Sequence, residues 1–203
     1  RIRYTFFHPA DGFGSITKMA TNKQQLIFTA SVVSLWLFSD ILSWLYQGFI
    51  FNTHEITEFN IFLHLAKTII LFLLISVSNW FVCTMKEGNG RIFEIFTVFA
   101  FALIPYIVAI NINTILSNFL TLEEKSFMSV VWIIAIIYMI YLMLVGLSSI
   151  HEFSAKGTVV SVIFTVIAII IILFLALLMW SLLQQVYSFF VSLYNEVSTI
   201  LLS

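Results

Sequence analysis

Along the chain, polar and charged positions are so widely spaced that the uncharged runs themselves mark the elements. These runs fall at Gln24–Ser39, Ile41–His54, Thr68–Met85, Ile95–Leu122, Ser126–His151 and Gly157–Asn195. Crossing a hydrocarbon layer of about 30 Å takes roughly 20 residues of helix at 1.5 Å per residue. The first two runs are separated only by Asp40, and neither crosses comfortably alone. Joined, they predict one span over Leu26–Phe51, and the others predict spans at Phe62–Met85, Glu94–Leu116, Phe127–Ile150 and Thr158–Leu183. The last run is too long for one crossing, and its pattern changes after Leu183. There Gln184, Gln185, Ser188, Ser192, Asn195 and Glu196 interleave with Val186, Phe189, Phe190, Leu193, Val197 and Ile200. Apolar residues at steps of three and four describe an amphipathic helix, Gln184–Ser203, that lies on the membrane surface, on the other helices or on a partner. At the other end, Tyr4, Phe6 and Phe7 precede His8-Pro9-Ala10-Asp11-Gly12 and read as an interfacial arm. That start is not expected to be a signal peptide, because the apolar segment after it is too long and no small-residue cleavage site follows. The first residue is Arg1 rather than Met, as expected of an excerpt from something longer.

Composition agrees with this pattern. Of 203 residues, 61% are hydrophobic and 9% charged, and mean hydropathy is +1.07. A soluble domain carries about 25% charged residues, so the expected class is an all-α polytopic membrane protein, a single domain over residues 1–203. Nine Lys and Arg against ten Asp and Glu leave no basic patch for nucleic acid. No phosphate-binding glycine loop, GxSxG, CxxC or HExxH occurs, so no nucleotide, cofactor, metal or catalytic residue is expected. The lone Cys83 lies in an apolar run and reads as a small hydrophobe. Basic residues set the expected orientation. With the N-terminus in the cytoplasm, the inner segments hold Arg1, Arg3, Lys18, Lys23, Lys86, Arg91 and Lys156, and the outer ones only Lys67 and Lys125. The C-terminus is then extracytoplasmic, and the outer loops are acidic through Glu55, Glu58, Glu123 and Glu124.

Candidate chemistry is confined to a few polar residues. Asp40 is the ionisable residue well inside a span, where a charge is costly enough to suggest function. It is either a proton or cation site, an interhelix anchor, or a carboxylate nearer the interface beside Trp36 and Trp44. In the third span Pro105 removes a backbone hydrogen bond and is expected to kink the helix. Asn111, Thr114 and Asn118 then share one face, with Asn113 on another. Asparagine in a bilayer most often binds helix to helix, and Asn79, with Ser76 and Cys83 on its face, is read the same way. Gly146 and Ser149 allow close approach of the fourth helix. His64 and His151 sit at span ends with no nucleophile at a recognisable spacing.

Several stretches resemble a known family as a set. Phe99-Ala100-Phe101-Ala102-Leu103-Ile104-Pro105-Tyr106 is similar to the aromatic–Ala–Leu–x–Pro signature of the third helix in the Yip-domain family of five-helix membrane proteins. Asn79-Trp80 with Lys86-Glu87-Gly88-Asn89-Gly90 resembles its second helix end and the acidic, glycine-containing turn after it. Gly146-Leu147 through His151-Glu152 and Ser154 resembles the end of its fourth helix. Phe6 to Phe13, Tyr46 to Thr53 and Ser117 to Glu124 further resemble a bacterial branch encoded beside carbohydrate ABC importers. The resemblance implies a non-enzymatic accessory membrane subunit in the bacterial cytoplasmic membrane. Its expected partners are the lipid bilayer and the importer's permease subunits, with the sugar-binding protein as a further candidate. Asp40, Asn79, Pro105, Asn111, Thr114, Asn118, Glu123 and Glu124 are the residues for partner contact or helix packing. The alternative is a stand-alone transporter or channel that uses Asp40 and the polar face of the third helix.

Overall fold

The computed structural model describes residues 9, 12–14, 21–52 and 59–202. Among these described residues, five helices are long and apolar enough to cross a membrane: α1 Asn22–Tyr46, α2 Ile61–Met85, α3 Ile92–Leu116, α4 Lys125–His151 and α5 Ala155–Leu202. A short 3-10 turn, Leu122–Glu124, leads into α4.

The starts of α1, α2, α3 and the 3-10 turn each have a side chain that satisfies donors left without an intrahelical carbonyl. Before α1, the Gln24 N–H donates to Thr21 Oγ1 at 3.4 Å and the Thr21 N–H to Gln24 Oε1 at 3.2 Å. Before α2, Asn60 Oδ1 accepts from the N–H groups of Phe62 and Leu63. Glu94 accepts from the Arg91 N–H at 2.8 Å at the head of α3. Glu124 accepts from both the N–H and the hydroxyl of Thr121. Two ends on the same side of the bundle close on left-handed residues, Glu87 after α2 and Glu152 after α4.

α3 is the centre. It packs most extensively on α1 and α4 and also touches α2, while α5 lies outside against α2 and, more lightly, α4. The buried cluster gathers Ile95, Val98, Ala100, Phe101 and Ala102 of α3 with Trp36 of α1, Phe72 of α2 and Leu142 and Leu147 of α4. Phe13 enters this cluster, edge-on to Phe101 at 5.2 Å between centroids, and is 1% exposed. Gly146 makes the space: a Cβ there would stand 2.5 Å from Val98 Cγ1 and 3.3 Å from Phe13 Cε2. Tyr4, Phe6 and Phe7 of the expected arm lie outside the described residues, and its described part is anchored in the core through Phe13.

Two boundaries differ from expectation in informative ways, and α3 continues through Pro105 as one helix. The first span was expected to reach Phe51, but α1 stops at Tyr46 and the chain turns at Gly48. The amphipathic segment from Gln184 continues α5 as one helix of 48 residues.

Candidate functional site

Polar side chains inside the bundle form three groups. In the first, Asp40 lies in the last two turns of α1 and meets the first two turns of α2. Its Oδ2 is 2.7 Å from His64 Nδ1, and its Oδ1 is 3.7 Å from Lys67 Nζ. Asp40 and His64 side chains are 23% and 12% exposed, whereas Lys67 is open. Trp44 and Phe59 enclose the imidazole, with centroids 6.2 and 5.4 Å from His64. Asp40 is thus paired near a helix end, which is the arrangement that relieves the cost of a carboxylate in an apolar setting. His64 and Lys67 were not anticipated as its partners. In an antiparallel hairpin, residues equidistant from the connection meet, and that register contained the signal.

The second group ties α3 to α1. Asn111 Nδ2 donates to Ser39 Oγ at 2.8 Å and also to its own helix at the Ile107 carbonyl. Asn118 Nδ2 donates to the Tyr46 carbonyl at 2.9 Å, where α1 has run out of partners. The Gly48 N–H donates to Ser117 Oγ at 2.8 Å. A Cβ on Gly48 would overlap the Ser117 carbonyl, so only glycine lets the chain pass there. Thr114 shares the face in sequence but bonds back to the Ile110 carbonyl and bridges nothing through its hydroxyl. Asn113 is buried, and neither of its amide atoms has a hydrogen-bond partner among the described residues.

The third group joins α2 to α5 and locks two turns together. Asn79 Nδ2 donates to Thr165 Oγ1 at 3.0 Å, and the Cys83 thiol leans on Asn79 Oδ1 at 3.7 Å. Lys86 Nζ donates to Ser161 Oγ and to the Gly157 carbonyl and stands over the Phe153 ring. The Gly90 N–H donates to His151 Nδ1 at 3.2 Å, Asn89 Nδ2 donates to Glu152, and Phe153 stacks on His151. Gly88 and Gly90 approach His151 so closely that a Cβ on either would fall within 2.6 Å of the ring. Because Nδ1 accepts, neutral His151 carries its proton on Nε2, which is buried and unpartnered among the described residues.

The other candidates lie apart. Pro105 lines an apolar groove of about 400 Å³ between α3 and α4, with Ala109, Ile112, Val131, Ile134 and Tyr138. Glu124 is committed to capping Thr121, and Glu123 is exposed beside it. Among the described residues, no three His, Cys, Asp or Glu side chains are placed to hold a metal ion. Asp40, Asn79, Asn111 and Asn118 therefore act on neighbouring helices, and the exposed side chains of the spans are predominantly apolar.

No curated protein and no solved structure matches the chain. A family does. The stretches that interlock here, Lys86 to Gly90 against His151 to Ser154 and the Pro105 helix at the centre, lie within residues 3–195, which match the Yip1 domain model; the chain belongs to the Yip1 domain family of membrane proteins.

Proposed function

We propose that this protein is a non-enzymatic accessory subunit of an ABC-type carbohydrate importer in the bacterial cytoplasmic membrane, its N-terminus cytoplasmic and its C-terminus outside. The resemblance of the Phe6–Phe13, Tyr46–Thr53 and Ser117–Glu124 stretches to the importer-linked branch motivates the partner. The observation that carries the mechanism is the division of labour among side chains. Asp40, Asn79, Asn111 and Asn118 bond neighbouring helices, and the faces turned outward are apolar. A protein built this way associates through van der Waals packing of helix on helix in the bilayer. The groove between α3 and α4 beside Pro105 is wide enough to take side chains of a permease helix. Exposed Glu123, next to the Glu124 cap, would meet the partner's outer surface.

Conduction through the bundle is the weaker reading, since it needs Asp40 and the Asn111 face to line one wet path. Instead Asp40 faces α2, and Asn111 faces Ser39 of α1. The test is affinity capture of the tagged protein from native membranes in mild detergent, with mass spectrometry. Permease, ATPase or sugar-binding subunits in fixed ratio are expected. Recovery of this chain alone would overturn the proposal.

A further inference from the structure

An apolar groove lies between α1 and α2, in the half of the bundle nearest the start of α1. It measures about 170 Å³ and runs between Leu26, Ala30 and Val33 of α1 and Ile69 and Leu73 of α2. Phe72 and Phe96, with ring centroids 5.8 Å apart, line its inner side. Leu26, Ile69 and Leu73 are exposed, so the groove faces outward into the bilayer.

Thr29 also belongs to the groove wall. The residue is 5% exposed, and its hydroxyl oxygen is buried with no hydrogen-bond partner among the described residues. Other buried threonines of this fold behave differently. Thr97, Thr158 and Thr165 each donate to the carbonyl four residues earlier, at 2.8, 3.2 and 2.8 Å. A hydroxyl left unpaired in an apolar setting is costly, and an acceptor brought into the groove would relieve that cost.

The chemistry along the groove is layered. Lys23, Leu26 and Ala30 follow at i, i+3 and i+7 on one side of α1, so an exposed ammonium stands at the groove's mouth. At 1.5 Å per residue, Thr29 lies about 9 Å and Val33 about 15 Å beyond Lys23, the latter half of a hydrocarbon layer of about 30 Å. The groove thus passes from a cation to a hydroxyl donor to apolar walls within the depth of one leaflet. On α2, Ile69, Leu73 and Trp80 share a face, and Trp80 lies about 10 Å nearer the helix end than Leu73. That is the depth at which tryptophan favours the membrane interface.

A partner helix, about 10 Å across, is too wide for a groove of this volume and brings no anion to Lys23. A phospholipid carries a phosphate, ester carbonyls and an acyl chain in the same order and over the same depth. We infer that the groove binds one anionic phospholipid of the cytoplasmic leaflet. Its phosphate pairs with Lys23, an ester carbonyl accepts from the Thr29 hydroxyl, and one acyl chain lies between Leu26, Ala30, Ile69 and Leu73. Lys23 supplies the preference for negative headgroups, as basic residues do at an anionic membrane surface. The choice of leaflet rests on the cytoplasmic N-terminus proposed above; the site itself does not.

Native mass spectrometry tests this on the full chain, delipidated in mild detergent and titrated with phosphatidylglycerol or phosphatidylcholine of equal chain length. One phosphatidylglycerol should be held several-fold more tightly than phosphatidylcholine. Lys23→Gln should remove that preference, while Lys125→Gln, at the other end of the bundle, should leave it intact. Thr29→Val should weaken both lipids. Ala30→Trp fills the groove from an exposed position and should abolish the retained lipid in a protein that remains folded. Equal affinity for the two lipids, or retention unaffected by Lys23→Gln and Ala30→Trp, would overturn the inference. A membrane-impermeant maleimide on Lys23→Cys in a Cys83→Ala background checks the leaflet separately. Labelling only after permeabilisation is expected; labelling of intact cells would overturn the orientation, and lipid selectivity in detergent would still decide the site. Neither result depends on capture of importer subunits.

Discussion

α3 and α5 are both strongly apolar, yet they occupy opposite ends of the burial scale. In their most apolar stretches, 61% of α3 residues are buried against 6% for α5. Hydrophobicity does not decide which helix is central, because in lipid a leucine gains nothing by leaving the surrounding chains for another helix. What α3 has is small side chains where neighbours approach, Ala100, Ala102 and Ala109, with Gly146 opposite on α4. It also has asparagines that reach α1. The middle of α5 has large aliphatic and aromatic residues on all sides, and its hydrogen bond to α2 lies near its start, at Thr165.

The sharpest way to break this contrast is to fill a close approach against α3. Gly48→Ala puts a methyl into the Ser117 carbonyl, and Gly146→Ala drives one into Val98. Each should cost about 3 kcal/mol, the upper end of ordinary overpacking, read as a lowered unfolding midpoint in detergent. Gly157→Ala, where the nearest atom is a hydroxyl at 3.3 Å, should change little.

Next in size is truncation of the core. Phe101→Ala removes a ring that is 1% exposed. We expect about 2 kcal/mol, less than the ~3–5 of a water-soluble core, because lipid rather than water is the reference for the exposed ring. Phe174→Ala on α5, at 63% exposed, should leave the same midpoint within error. Equal effects at the two sites would erase the distinction between the helices.

Smaller still are the interhelix hydrogen bonds. Asn111→Leu and Asn79→Leu should each cost about 1 kcal/mol, but in different places. The first should speed proteolysis or amide exchange where α1 meets α3, the second where α5 meets α2. Asp40→Asn should have the least effect on stability, about 0.5 kcal/mol, since the half-open Lys67 contact is weak and the amide can still accept from His64. In proteoliposomes neither Asp40 nor its Asn variant should support ion flux. Flux that disappears in the variant would restore the conductive reading.

How much of this was legible along the chain varies with the kind of interaction. Five helices followed from run lengths because a bilayer sets a fixed span and tolerates few charges within it. The end of α1 was not read from the chain, since Gln47 and Gly48 carry no charge and lie within an otherwise apolar run. The turn is fixed instead by Ser117, 69 residues away from Gly48. Conversely, the polarity change at Gln184 suggested a boundary where the helix has none, because backbone hydrogen bonds continue through glutamine and serine unless proline or glycine interrupts them. Asn79, Asn111 and Asn118 stood out by residue type, but which helix each would meet was not legible along the chain. Asp40 was visible as an anomaly, and its partners His64 and Lys67 became evident only when the α1–α2 hairpin set their register. The enclosure of His151 by Gly88 and Gly90 was less visible still, since it depends on two turns separated by a whole helix.

The sequence by itself determined the solvent of this protein, the number of its apolar helices and the identity of the polar groups that must find partners. Those properties depend on local composition and on the spacing of residues along single helices. Only the tertiary structure decided that α3 is central and α5 peripheral, that Asp40 is paired, and that Phe13 belongs to the core. These outcomes depend on which small surfaces can approach one another, and among helices of nearly equal apolarity the arrangement is selected by the fit of side chains across the contact.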